Sequence, residues 1–306
     1  MAVSIKRIVS AQLHIFRLHH SRSVSIADVR CRPHCRECGG EEATEAHQIV
    51  FVRAGVFVRR HGRRELVADA NHVLFFNRHQ PYRVSHPVGD GDDCTVFTFS
   101  PELLCEAAGA FSTRVSERNP FGCEQMLSGQ DVFLLHQRIR QFLLRGERDT
   151  LTVEEATLNL LGGVASGACR ECGFQGRSCR PATAEAHRRH TESARLFLAA
   201  RLAEDLTLDD IAQAVHCSPF HLARIFRRGT GLSMHQYRDR LRLRTALERI
   251  GEGANDLTRL ALDLGYSSHS HFADVFRRAF GLSPSSCRQL TSSSLREMSR
   301  NLKVAT

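Results

Sequence analysis

LTLDDIAQAVHCSPFHLARIFRRGTGLS at residues 206–233 and IGEGANDLTRLALDLGYSSHSHFADVFRRAFGLSPSSCR at residues 250–288 are two versions of one pattern. Ile211-Ala212 and Leu260-Ala261 each open a short helix; a turn follows, then a second helix ending in Phe-Arg-Arg, then Gly-Leu-Ser. The second helices align at an offset of 50, Leu222 with Phe272 and Phe226 with Phe276, whereas the first helices align at 49, so the second turn holds one extra residue. An internal repeat of this kind reads as a duplicated helix-turn-helix.

The residue choices agree with that reading. Ser218 and Ser268 stand where an N-cap is needed, and Pro219 occupies the first helical position, where its missing N–H costs nothing. Leu222, Ile225 and Phe226 form a buried stripe in the first copy, as do Phe272, Val275 and Phe276 in the second. Pro219, Phe220, Ala223, Arg224 and Arg227 then point outward, as do His269, Ser270, Ala273, Asp274 and Arg277. A helix of this kind offers its first turns to base edges in a major groove while flanking arginines take phosphates. Between the units, Ser233 with Gln236 makes a capping box for one helix that ends at Gly251 and Gly253. Residues 233–250 span about 27 Å at 1.5 Å per residue, approaching the roughly 34 Å between successive major grooves on one face of DNA.

Charge is distributed to match. The chain has 306 residues and a formal net charge of +9. Residues 180–306 hold 20 basic against 13 acidic side chains, and residues 1–179 hold 22 against 20. The excess therefore lies with the repeat, as expected of a surface that meets a polyanion. Lys6 and Lys303 are the only lysines, so nearly every cation is an arginine, able to make a bidentate fork to phosphate or guanine.

Residues 195–290, about a third of the chain, resemble the DNA-binding domain of AraC/XylS-type bacterial transcription regulators. The two quoted stretches carry the resemblance, the second most specifically, through Gly265-Tyr266, the Phe-x3-Phe pair and Gly-Leu-Ser-Pro. The resemblance implies a seven-helix domain that binds a double-stranded operator in two grooves, joined to an N-terminal effector or dimerisation domain, frequently a cupin-like barrel. It implies a homodimer, and contact with RNA polymerase if the protein is an activator. By position it puts Phe220, Ala223 and Arg224 at the bases in the first unit, with Ser218, His221 and Arg227 beside them. In the second unit it points to His269, Ser270 and His271, flanked by Asp274 and Arg277. Two positions depart from the family pattern. Asp274 stands where a basic residue is common and suits cytosine N4 rather than phosphate, and Cys287 replaces the usual aromatic.

The N-terminal half reads differently. Between His47 and Phe99 lie short apolar segments at 49–53, 56–60, 73–76, 82–85 and 94–99, punctuated by glycines and prolines. That spacing predicts a compact antiparallel barrel or sandwich. After Pro101 the pattern is helical: Asp131 is expected to cap one helix ended by Gly146, and Thr152 with Glu155 to cap a second running through Leu161. These two helices suit a dimer surface and a private core equally well. The expected fold is thus α+β: a cupin-like antiparallel barrel with a helical dimerisation segment at 1–165, a cysteine-containing linker at 166–188, an all-α DNA-binding domain with two helix-turn-helix units at 189–290, and a mobile tail at 291–306.

Eleven cysteines in a chain with no apolar run of membrane-spanning length and no signal-like h-region point to the cytoplasm and to thiols or metal ligands rather than disulfides. Cys35-Arg36-Glu37-Cys38-Gly39 recurs as Cys169-Arg170-Glu171-Cys172-Gly173. Two such knuckles supply four thiolates for a tetrahedral zinc, with Cys31, His34 and Cys179 as further donors in reach. Three readings stay open for Cys35, Cys38, Cys169 and Cys172: a structural zinc clamp, a metal- or thiol-redox sensor, and incidental thiols. The effector itself, a metal or a small molecule, is not legible. His47, His61, His72, His79 and His86 contain no His-x-His pair, so a metal-dependent oxygenase is not expected, and no phosphate loop or nucleophile elbow occurs. The chain reads as a regulator and not as an enzyme.

Overall fold

The computed structural model describes residues 11–33, 39–89, 91–110, 116, 118–146, 149–174, 181–288 and 292–301. Among the described residues nine strands form two antiparallel sheets. The larger has the order β1(Ala11–His20), β2(Val24–Pro33), β8(Asp92–Phe99), β3(Gln48–Gly55), β6(His72–Phe76), β9(Gln125–Leu127); the smaller has β5(Arg64–Ala68), β4(Phe57–His61), β7(Arg83–Ser85). Because side chains alternate along a strand, the large sheet has two faces with different tasks. Val50, Val52, Leu74, Phe76 and Cys94 face the small sheet and meet Phe57 and Ala68. Ile26, Phe51, Phe75 and Phe97 face the other way, against helices.

Those helices are α1(Pro101–Gly109), α2(Gln130–Leu144) and α3(Thr150–Phe174). Ser100 caps α1 through Leu103 N. Gly129, not Asp131, is the N-cap of α2, and the Asp131 carboxylate instead accepts from the next amide, Val132 N. For α3 the capping side chain is Asp149, which accepts from Thr152 N at 3.1 Å and from the Thr152 hydroxyl. The capping box expected at Thr152 and Glu155 therefore starts three residues too late. One side of α2 (Val132, Leu135, Ile139, Phe142) packs on the sheet. Phe133 and Leu134 on its opposite side complete the core of the second helix pair below. Helix α2 is thus private core, with no face left for a dimer.

Two further expectations change. Residues 166–174, expected as linker, continue α3, so Cys169 and Cys172 lie on a helix rather than in a knuckle turn. The expected mobile tail contains helix α10(Ser292–Asn301). Leu295 is 1% exposed in the core between sheet and helices, and Asn159 donates to Ser299 Oγ at 2.8 Å. Fully burying one leucine contributes about 1.5–3 kcal/mol, enough to hold a short polar helix that composition alone marks as loose.

The remaining helices are α4(Pro181–Ala200), α5(Leu208–Ala214), α6(Pro219–Thr230), α7(Met234–Gly251), α8(Leu257–Asp263) and α9(His269–Phe280), followed by a single 3-10 turn at Ser286–Arg288. Among the described residues no helix is long and apolar enough to cross a membrane.

Candidate nucleic-acid interface

Helices α5 and α6 form one pair and α8 and α9 the other. Thr207 caps α5 in a full capping box with Asp210, and Asp256 caps α8. Each turn needs one left-handed residue. In the first it is His216, at φ +53°, and in the second Gly265, at φ +78°. A Cβ at Gly265 would sit 2.3 Å from the Ala203 carbonyl oxygen, so the second turn requires glycine for space as well as for backbone freedom. Both turns close identically: Cys217 N donates to Ala212 O, and Tyr266 N to Ala261 O, each at 3.0 Å.

The stripe residues are placed as their spacing predicts. Leu222, Ile225 and Phe226 are buried with Tyr237 and Leu241 of α7. Phe272 and Phe276 are buried with Leu243, Leu247 and Ile250 of α7, while Val275 is only half-buried. Helix α7 therefore supplies both cores, one from each half of its length, and its Ser233–Gln236 capping box is present.

The outward residues divide into two kinds. Phe220, at the start of α6, is 82% exposed, the most exposed large apolar side chain among the described residues. Arg224, Arg227 and Arg228 are also exposed, as are His269, Ser270, His271, Asp274, Arg277 and Arg278 on α9. Ala223 and His221 are half-buried; the His221 ring lies 5.1 Å from that of His187 on α4, and Arg224 approaches His221 Nδ1 at 3.3 Å. Ser218 occupies the N-cap position of α6 without a side-chain capping bond, whereas Ser268 caps α9 by accepting from His271 N. Exposed arginines thus follow the first turn on both helices, a turn that is exposed at His269, Ser270 and His271 on α9 and at Phe220 on α6.

A family model described as a helix-turn-helix domain matches residues 211–290. The regulatory protein PocR of Salmonella typhimurium is 30% identical over 93 residues, 30% of this chain and 31% of that protein, so the chain matches only about a third of that relative's length. The HTH-type transcriptional activator RhaS of Salmonella heidelberg is 27% identical over 264 residues, 81% of this chain and 87% of its own. A solved transcriptional regulator with an AraC-type DNA-binding domain from Chromobacterium violaceum is 28% identical, covering 34% of this chain and 93% of that one, with a TM-score of 0.32. Residues 211–290 thus match a helix-turn-helix domain, and the chain is similar over that region to transcription regulators.

The helical domain is docked on the sheets through buried polar groups that no local motif marks. Helix α4 covers the edge strand β5: Val67 N donates to Glu192 Oε2 at 2.7 Å, and Arg188 donates to Glu65 O at 2.6 Å. Edge backbone groups are thereby satisfied by side chains rather than left open for pairing. Deeper, Asp69 meets Arg195 of α4, Tyr237 of α7 and His72 of β6. A second network joins Asp28 and Arg53 of the large sheet to Arg140 of α2 and Glu248 of α7. Arg53 can reach it because Val52 pairs with Cys94 and Ala54 with Asp93, which makes Arg53 the extra residue of a bulge, re-aimed out of the strand alternation.

Burial and the neighbouring Arg195 hold the His72 imidazole down to about 4, against the opposing pull of Asp69. The neutral ring is favoured in the fold, whereas the unfolded chain protonates this group near pH 6.5. Its contribution is therefore complete above that pH and is lost as pH falls toward 4. A shift of this size should remove about 2 kcal/mol by pH 5. Buried His136, stacked on Phe51 with ring centroids 4.3 Å apart, is held well below its ordinary value by burial and then by Arg53, and acts in the same direction. Melting midpoints should fall between pH 7 and pH 5, and less steeply in His72→Asn; an unchanged slope in that variant would refute the assignment to His72.

The cysteine expectations fare unevenly. Cys35, Cys38, His34 and Cys179 lie outside the described residues, as does the side chain of Cys172. Cys169 is half-buried on α3. Cys31 is half-buried on β2, and the sulfur, nitrogen and oxygen donor atoms of Cys31, His86 and Asp92 lie within 4.8 Å of one another. That meeting was not legible in sequence, because strand register alone brings Asp92 opposite Cys31. His61 stands 3.1 Å from Glu124, and His47 Nδ1 accepts from Arg78 N, so these two histidines make polar contacts within the sheet domain.

Proposed function

We propose that the protein is a sequence-specific transcription regulator that binds double-stranded DNA through two helix-turn-helix units, with α6 and α9 entering successive major grooves. The observation that carries this is the matched pair of helices with outward first-turn residues and exposed trailing arginines, set on one shared helix of 18 residues. At 1.5 Å per residue that helix is about 27 Å long, the scale of one groove repeat. The regulator and activator names of PocR and RhaS support the same reading, and none of this points to an enzyme. The sheet domain then acts as a cupin-like effector module, and the buried networks at α4 and α7 are its route to the DNA-binding helices. Dimerisation, if it uses the helices, falls to α3, where Leu151 and Leu158 are exposed at a spacing of seven. Zinc at Cys35, Cys38, Cys169 and Cys172 is supported by the repeated five-residue string.

An operator selected from a randomised duplex pool tests the reading. Arg224→Ala should lose about 1–3 kcal/mol on that operator and relax its preference at one position. Arg277→Ala should weaken specific and random duplex alike and lower the salt slope by about 1. Equal losses on both duplexes for Arg224→Ala would remove it from the bases.

A further inference from the structure

The sheet domain carries a donor cluster that is separate from the repeated cysteine string. Cys31 of β2 and Asp92 of β8 are directly opposed across an antiparallel pair, so their side chains share a face. It is the face toward the small sheet, since Val29, Cys94 and Val96, at alternating positions of the same two strands, pack into the cluster between the sheets. His86 arrives from the loop after β7. Its Nε2 lies 2.6 Å from Asp92 Oδ1, and Cys94 Sγ donates to Asp92 Oδ2 at 3.0 Å. His86 and Asp92 are buried, and Cys31 is half-buried.

The convergence is built into the backbone. Gly91 has φ +81°, and a Cβ there would stand 2.0 Å from the Cys31 carbonyl oxygen. Gly55, paired with Asp92 and at φ +77°, would place a Cβ 2.1 Å from the Gly91 carbonyl oxygen. Only residues without a side chain let three chain segments approach this closely. Beside that approach the donor atoms of Cys31, His86 and Asp92 lie within 4.8 Å of one another.

We propose that Cys31, His86 and Asp92 are three protein ligands of a site for a zinc-like divalent transition metal, with the fourth position left to water or an exogenous ligand. One thiolate, one imidazole and one carboxylate suit zinc, whereas magnesium and calcium require oxygen donors throughout. Zinc bonds of roughly 2.0–2.3 Å in tetrahedral geometry put ligand atoms about 3.3–3.5 Å apart. His86 and Asp92 must then part by about 0.7 Å to admit the ion, a side-chain adjustment rather than a rearrangement. Cys94 stays on the second Asp92 oxygen and orients the carboxylate from outside the ligand set, the arrangement that tunes metal sites generally.

Cobalt(II), a spectroscopic stand-in for zinc, tests this on the full chain under reducing conditions. The combined variant Cys35→Ser, Cys38→Ser, Cys169→Ser, Cys172→Ser leaves the site untouched. It should bind one cobalt per chain, with tetrahedral d–d absorption, a thiolate-to-cobalt charge-transfer band of one-thiolate intensity, and displacement by zinc. Adding Cys31→Ala should abolish the charge-transfer band, and His86→Ala or Asp92→Asn should weaken cobalt binding at least tenfold in protein whose circular dichroism is unchanged. Absence of the one-thiolate band in the four-serine variant overturns the proposal even if every other variant misfolds. So does undiminished binding in a folded His86→Ala or Asp92→Asn protein. The outcome does not depend on DNA binding, so it stands or falls separately from the regulator reading.

Discussion

Glu248→Ala should lower the unfolding free energy by about 3–5 kcal/mol, the range for removing one partner of a buried ion pair. Glu248 lies on the connecting helix α7, yet its carboxylate is buried against the sheet domain. One oxygen contacts Arg53 and stands 3.4 Å from Arg140; the other accepts from Gln137 Nε2 at 2.7 Å. Asp28 closes the set, accepting from Arg140 Nε at 2.8 and 3.0 Å and lying 3.5 Å from Arg53. Two carboxylates and two guanidiniums balance. Removing Glu248 leaves a net buried positive charge on fully enclosed arginines, a far larger loss than that of an exposed pair. Glu252→Ala, one turn on and exposed, is the control and should change stability by under about 0.5 kcal/mol. Replacing the network with apolar residues (Arg53→Met, Glu248→Met, Asp28→Leu, Arg140→Met) should recover much of the loss. Denaturant titrations of the three proteins decide it, and a Glu248→Ala protein as stable as Glu252→Ala would show that the network is not formed.

How much of this was legible follows from where each partner sits in the chain. The two helix pairs, the α7 capping box and the inward stripes were readable because their determinants lie within a few residues of one another. Segments 49–53, 56–60, 73–76, 82–85 and 94–99 were readable as strands because turn residues bound them, and β3, β4, β6, β7 and β8 occupy them. The hairpin β1–β2 was not. Its buried positions include Asp28, whose partner Arg140 lies 112 residues away, so the alternation looks broken by a charge that the fold in fact uses. Helix α10 was missed for a related reason: SSSLREMSRN carries two apolar residues, and the partners of Leu295 are supplied by α2, α3 and the sheet. Linker composition misled over 166–174, where glycines, serine and cysteines continue a helix because Val164, Ala165 and Ala168 are buried. On the outward faces of α6 and α9, exposure of Phe220 and the arginines was predictable from the stripe alone. The half-burial of His221 was not, since it depends on α4 lying alongside.

Asp69→Ala should cost about 3 kcal/mol or more and should alter operator binding without touching an exposed side chain of α6 or α9. Asp69 is fully buried and accepts from Asn71 N at 2.9 Å and from the Tyr237 hydroxyl, with Arg195 at 3.4 Å and His72 Nδ1 at 3.0 Å. Burial alone would raise its pKa, but Arg195, His72 and the Tyr237 hydrogen bond hold the carboxyl well below the usual range, so the charged form is the one the fold stabilises. The alanine variant leaves the Tyr237 hydroxyl with only Arg195 and His72 beside it, and leaves Arg195 to the single carboxylate of Glu192. Tyr237→Phe removes one donor while keeping the ring in the core of the first helix pair, and should cost about 1 kcal/mol. A double-mutant cycle between the two should return a coupling of about 0.5–3 kcal/mol, as for residues in one hydrogen-bond network. Because α4 and α7 pack on the first unit and both meet Asp69, through Arg195 and Tyr237, loosening this contact frees α6 to reorient relative to the sheets. Operator affinity should therefore change in Asp69→Ala while binding to random duplex, governed by the exposed arginines, stays close to wild type. An operator affinity identical to wild type in a folded Asp69→Ala protein would mean that the buried contact stabilises the chain without directing the DNA-binding helices.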